Sequence, residues 1–171
     1  MTSVLTEWFG SKFPQLHEAG GTLTASLKNI AQRMKTDNSI KEITIASINR
    51  KVMNPESWIY SKVCLENKSE EFTLEENELP IFEINSSKAK TIITTRHIIE
   101  KENENICFVS FDEIDDVIYG DFKKQINKPE LSKFRIVDIF GEQYDFQMET
   151  GKASIGLINS INTVLKLKAS R

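Results

Sequence analysis

Histidine and cysteine are nearly missing from this 171-residue chain, which has two of each, with seven glycines and four prolines. So few glycines and prolines exclude a collagen-like or low-complexity chain. Cys64 and Cys107 stand alone. They make neither a disulfide framework nor a Cys-x-x-Cys pair, and read as reduced, half-buried thiols. His17 and His97 fall short of the three protein ligands that catalytic zinc generally takes, and no His-Glu-x-x-His is present. The one glycine pair, Gly20-Gly21, is followed by no Gly-Lys-Ser/Thr, and there is no Gly-x-Ser-x-Gly elbow. Neither a metal nor a cofactor is expected. No apolar run approaches the ~20 residues that span a bilayer. Glu7 interrupts the first apolar stretch and no basic region precedes it, so no signal peptide is expected. Reduced thiols and no leader fit the cytoplasm. A basic excess is missing too. Twenty-two Lys+Arg against 25 Asp+Glu give a net charge of −3, which argues against nucleic acid as the partner.

What is abundant is isoleucine, 21 residues against 11 leucines. Branching at Cβ stiffens χ1 and suits a pleated surface, so the isoleucine-rich span from Ile40 to Ile139 is expected to be strand-rich. The first ~35 residues differ in period. Leu5, Trp8, Phe9 and Phe13 sit at helical spacing, Pro14 and Gly20-Gly21 interrupt, and Leu23, Leu27, Ile30, Ala31 and Met34 form one helical face. Residues 1–40 are therefore expected to be a helical extension with a polar exit at Lys35–Ser39.

Residues 41–78 read as a strand-containing connector. Ile43 and Ile45 alternate with polar neighbours, and Trp58, Tyr60, Val63 and Leu65 mark a second strand after the Asn54-Pro55-Glu56 loop. An acidic stretch follows, carrying Glu66, Glu70, Glu71, Glu75, Glu76 and Glu78. Without glycine or alternating Asp/Asn it is no calcium loop, and it reads as a solvated segment.

From Leu79 the spacing predicts seven short strands. They fall at Leu79–Ile84, Lys90–Thr95, His97–Glu100, Ile106–Phe111, Val117–Tyr119, Phe134–Ile139 and Gln143–Met148. In the last, Tyr144, Phe146 and Met148 alternate with Gln143, Asp145 and Gln147, the pattern of a sheet with one wet face. A final helix follows Thr150. Ile155, Ile158, Ile161 and Leu165 are expected on its buried stripe, widened by Leu157 and Val164, with Asn159, Asn162 and Lys166 on the wet side.

Two segments sharpen this order. Ile92-Ile93-Thr94-Thr95-Arg96-His97-Ile98-Ile99 resembles the junction between the second and third strands of bacterial PH-like (pleckstrin-homology-like) domains. Arg96 and His97 stand where that family carries a Lys-like residue and an Arg. Phe108-Val109-Ser110-Phe111-Asp112-Glu113-Ile114-Asp115-Asp116-Val117 resembles the family's aromatic strand end and tight turn. The resemblance covers about residues 79–167. It implies an α+β fold: a PH-like curled antiparallel barrel over 79–171, closed by its C-terminal helix and preceded by the helical extension. A helix with one apolar stripe would plug the open end of such a barrel.

The expected function is a non-catalytic module that binds another protein or itself. Trp8 and Phe9 are candidate contacts. Lys88, Lys90 and Arg96 are candidate ligand contacts as well, because the resemblance implies that Lys88 and Lys90 lie in or beside the first inter-strand loop. There a positive surface draws anionic headgroups at about 1 kcal/mol per charge, which gives peripheral membrane binding as the alternative. An enzyme of another kind would need a cleft with mutually hydrogen-bonded titratable groups. The turn carboxylates Asp112, Glu113, Asp115 and Asp116 read as turn formers, and no buried titratable cluster is expected.

Overall fold

A computed structural model describes residues 35–52, 54–120 and 130–169. Trp8 and Phe9 and the helices expected up to Met34 lie outside the described residues.

The first described element corrects the sequence expectation. Ile43 and Ile45, expected on a strand, lie in helix α1, Asp37–Lys51. Its start is built into the sequence. Thr36 is extended (φ −66°, ψ 154°) and its hydroxyl accepts the N–H of Ser39, Asp37 sits in the first turn, and Arg50 and Lys51 in the last. That is a capped helix with charges matched to its dipole. The buried residues are Ile40, Lys41, Thr44 and Ile48. Their spacing of one and four is helical, but two are polar and hide the pattern. Thr44 sits in the core because its hydroxyl donates to the Ile40 carbonyl at 2.7 Å. Lys41 is buried because its amine donates to the carbonyls of Leu65 and Glu66 and to Asn67 Oδ1.

Eight strands follow among the described residues. They are β1 (Ser61–Val63), β2 (Pro80–Asn85), β3 (Ala89–Thr94), β4 (His97–Glu102), β5 (Asn105–Ser110), β6 (Ile114–Ile118), β7 (Leu131–Asp138) and β8 (Gln143–Glu149). β1–β5 form one antiparallel sheet in chain order and β6–β8 a second. Helix α2, Lys152–Ala169, closes the described chain. The architecture is α+β, with two antiparallel sheets that do not join into a closed barrel among the described residues.

Alternation sets the inner face of the larger sheet. Phe82 is paired with Ile93 and Ile93 with Ile98, and Ile98 is paired with Val109. All four face Phe134, Ile136, Phe146 and Met148 of the smaller sheet in one core. Polar groups also bridge the sheets. The Gln147 N–H donates to Glu100 Oε2 at 2.6 Å, and the Ser86 hydroxyl to Gln147 Oε1 at 2.9 Å. The wet face expected for Gln147 is therefore dry, because its amide is consumed between the sheets. The Glu149 carboxylate accepts three backbone N–H groups, from Ile59, Tyr60 and Ser61.

Helix α2 buries Leu157, Ile161 and Val164 as expected, but its contact face is turned toward its smaller residues. Ala153, Gly156, Leu157, Ser160, Ile161 and Val164 point inward, with Asn159 also buried, while Ile155 is 43% exposed. Ile158 and Leu165 are only half-buried. Gly156 explains the rotation. A Cβ there would lie 2.8 Å from the Trp58 ring and 2.9 Å from Phe82. The helix approaches through its smallest residues, so the bulky isoleucines are turned to the flanks.

Candidate binding face of the five-stranded sheet

The junction between β3 and β4 is a two-residue loop, Thr95-Arg96, and four of its groups hold separate parts of the fold. The Thr94 hydroxyl accepts the N–H of Arg96 at 3.1 Å and of His97 at 2.7 Å, and donates to Glu78 Oε1. Thr95 bonds Leu79 through both backbone and hydroxyl. The Arg96 fork takes Asp37 at the start of α1, at 2.8 and 3.3 Å, and Glu75 at 3.2 Å. The loop thus ties α1, the acidic segment and the sheet together. Burial raises the Asp37 carboxyl, but hydrogen bonds from Arg96 and Thr95 and the Arg96 charge hold it below the ordinary range. Its hydrogen bond to Asp37 leads the causes that push the Arg96 guanidinium up.

His97 does not stand alone. Its Nδ1–H donates to Glu78 Oε1 at 2.8 Å, and the Glu78 side chain is only 1% exposed. The other Glu78 oxygen accepts the N–H of Glu75 at 3.0 Å. Burial pushes this carboxyl up, yet hydrogen bonds from Thr94, the Glu75 backbone and His97 keep it below its usual value. The expectation that no buried titratable cluster exists is corrected here. Sequence reasoning missed Glu78 because it looks like one more member of a solvated acidic run. Nothing local shows that its side chain turns under the hairpin. Glu75, Glu78 and His97 hold ligand-type atoms within 4.8 Å of one another. These atoms are already committed, Glu75 to the Arg96 cation and Glu78 to three donors, so the group is satisfied as it stands.

The same face of the sheet carries an apolar row. Ile92 is paired with Ile99 and Ile99 with Phe108, on the side opposite the core. Ile92 is fully buried there although it is outside the main core. The acidic segment between Cys64 and Leu79 crosses this face. It is held by the Lys90–Glu71 and Arg96–Glu75 ion pairs and the Lys41 bonds. Phe72, 9% exposed, is its apolar anchor. Beyond Phe72 the cover stops among the described residues. An open groove of about 370 Å³ is lined by Phe72, Ile99, Ile106, Phe108, Lys101 and the Glu78–His97 pair. Ile106 and Phe108 are 62% and 63% exposed. The His97 and Phe108 rings meet edge to face at 6.1 Å.

Of the candidate cations, Lys88 is exposed at the β2–β3 loop. Lys90 is paired with Glu71, and Arg96 with Asp37 and Glu75. The structure therefore brings the three positions to one sheet without making a free basic patch of them. The exposed apolar pair on β5 was legible as strand residues, but not as a surface, since only the sheet order makes β5 an edge.

Neither a family model, nor a curated protein, nor a solved structure matches this chain. Among the described residues no helix is long and apolar enough to cross a membrane.

Proposed function

We propose that this chain is a non-catalytic binding module whose ligand is protein, engaged at β5. The observation that carries the reading is the edge strand itself, with Ile106 and Phe108 exposed side by side on one face. Exposed apolar side chains beside a strand edge that is unpaired among the described residues suit β-strand addition, in which main-chain bonds give affinity and alternate side chains give specificity. The groove's polar groups support a binding role rather than a chemical one. His97 and Glu78 are spent on each other and on the hairpin, Glu71 and Glu75 are paired with Lys90 and Arg96, and Phe72, Ile99, Ile106 and Phe108 supply the apolar walls. A nucleophile beside a base and an oxyanion donor would be the mark of an enzyme.

The finer architecture is read as PH-like. Seven antiparallel strands, β2–β8, followed by a helix that enters the core support this. β1 adds a strand to that order, and the sheets stay open rather than closing. Anionic membrane binding has less behind it, because Lys90 and Arg96 are already neutralised within the chain.

The test is a photo-crosslinking phenylalanine analogue placed at position 108. The control site is position 140, where Phe140 is 76% exposed at the β7–β8 turn. In extract of the source cells, a polypeptide adduct at 108 and none at 140 is expected. Failure of position 108 to capture any polypeptide would sink the proposal.

A further inference from the structure

We infer that the β5 edge takes a second copy of this chain, the two β5 strands pairing antiparallel about a two-fold axis at Cys107. This inference rests on the binding-module reading and names its partner.

Four strands bound the two sheets, and three of their edges are guarded. β1 has three residues, with Lys62 among them. β6 carries Asp115 and Asp116, and β8 carries the exposed Asp145. Short length and charge are the ordinary means of keeping an edge from pairing. β5, Asn-Ile-Cys-Phe-Val-Ser, is six residues long and has no charge, proline or glycine. An edge of that kind, exposing large apolar side chains, is a pairing site unless something covers it.

The ladder fixes which backbone groups are open. The Phe111 N–H donates to the Arg96 carbonyl at 2.9 Å. With Ile98 opposite Val109, Glu100 opposite Cys107 and Glu102 opposite Asn105, the same alternation turns residues 105, 107 and 109 toward β4. Ile106, Phe108 and Ser110 therefore direct their N–H and C=O outward. Two copies with Cys107 opposite Cys107 place Ile106 opposite Phe108 of the second copy, and Phe108 opposite its Ile106. Each of those pairs exchanges both main-chain bonds. The four side chains share one face of a ten-stranded sheet, where cross-strand aromatic and β-branched pairs are favourable.

Charge also selects this occupant. The centre of the seam is neutral, Lys101 borders it on the flank of each copy, and no like charges meet across the axis. The contact is isologous, so it closes at two copies and leaves no further β5 edge to propagate a fibre. A six-residue seam is smaller than the ~800 Å² that each partner buries in a standard interface. The association is therefore concentration-dependent.

Cys107 is a built-in reporter of the register. In the non-hydrogen-bonded position its Cα would lie about 4.5 Å from its mate, within the range a disulfide spans. Cys64 is buried, its thiol pushed up to about 12 mainly by burial, and contributes no cross-link.

The test uses the purified full chain and Phe108→Glu. Sedimentation equilibrium over the micromolar range should show monomer and dimer in exchange. Copper-phenanthroline oxidation should trap a dimer through Cys107. Phe108→Glu, at a site 63% exposed, should leave the unfolding midpoint unchanged, weaken dimerisation roughly tenfold or more and abolish the cross-link. A chain that stays monomeric at every concentration overturns the second copy. So does a dimer with no Cys107 cross-link, or one that Phe108→Glu leaves intact. A monomeric chain that still yields an adduct at position 108 in extract would reject the second copy while keeping the binding-module reading. Absence of any adduct would reject both.

Discussion

Glu78 carries more of the hairpin than its place in an acidic run suggests. Its two oxygens are held by Thr94, His97 and the Glu75 backbone, and its folded-state pKa lies below the ordinary value. A lowered carboxyl contributes stability that is complete above its unfolded pKa and is lost as pH falls through the folded one. Between neutrality and about pH 4.5, near the unfolded glutamate value, this contribution should stay level, and acidification below that should erode it. Glu78→Gln removes the charged acceptor and leaves buried donors short of a partner. It should cost about 1–3 kcal/mol at pH 7. Denaturant melts of both proteins at neutral and acid pH check this, the gap between them narrowing as the wild-type carboxylate protonates. An equal gap at both pH values would show that Glu78 acts through shape alone.

At the scale of elements, α2 gives a sharp test of phase. Ile161 is fully buried and Ile155 is 43% exposed on the same helix. Ile161→Ala should lower stability by about 2–5 kcal/mol, as core truncation does. Ile155→Ala should cost less, about 1 kcal/mol, since 43% of its surface already meets water. Chemical denaturation of the two variants separates the observed face from the one that hydrophobicity alone suggests. The strands after Leu79 were legible because alternation and turn residues are local signals. The phase of α2 was legible only in part: Leu157, Ile161 and Val164 fell on the buried side, but the turn that exposes Ile155 and buries Asn159 is set by Gly156 slipping under the Trp58 ring, a fact about a residue almost a hundred positions away. Helix α1 hid for a related reason. Thr44 and Lys41 are buried only because a hydroxyl can bond back along the helix and an amine can reach three acceptors in the acidic segment. At the candidate site, the Thr94–His97 junction stood out as a string, while its partners Asp37, Glu75 and Glu78 came from turns of the chain that no spacing reveals.

For the molecule as a whole, a net charge of −3 and the internal pairing of Lys90 and Arg96 set the expectation toward membranes. Flotation with vesicles rich in phosphatidylserine, at low and at high salt, should leave the protein in the dense fraction both times. Co-migration at low salt that is lost at high salt would mean that the acidic segment lets go of its cations on a charged surface.

The two helices of the described unit stand at its opposite ends in sequence yet touch. The Lys51 amine donates to Asn159 Oδ1 at 2.8 Å, and the Thr163 hydroxyl to the Ser47 hydroxyl at 3.2 Å. On the ribosome, α1 must therefore wait for a partner that begins roughly 100 residues after it ends, a delay of about 5–20 s at ordinary elongation rates. Until then Phe82 and Ile48, both fully buried in the finished fold, have no lid. A chain released by a stop codon at position 150 should consequently show no cooperative melt and should be cleared by the cell's proteases, although every strand of both sheets has already been made.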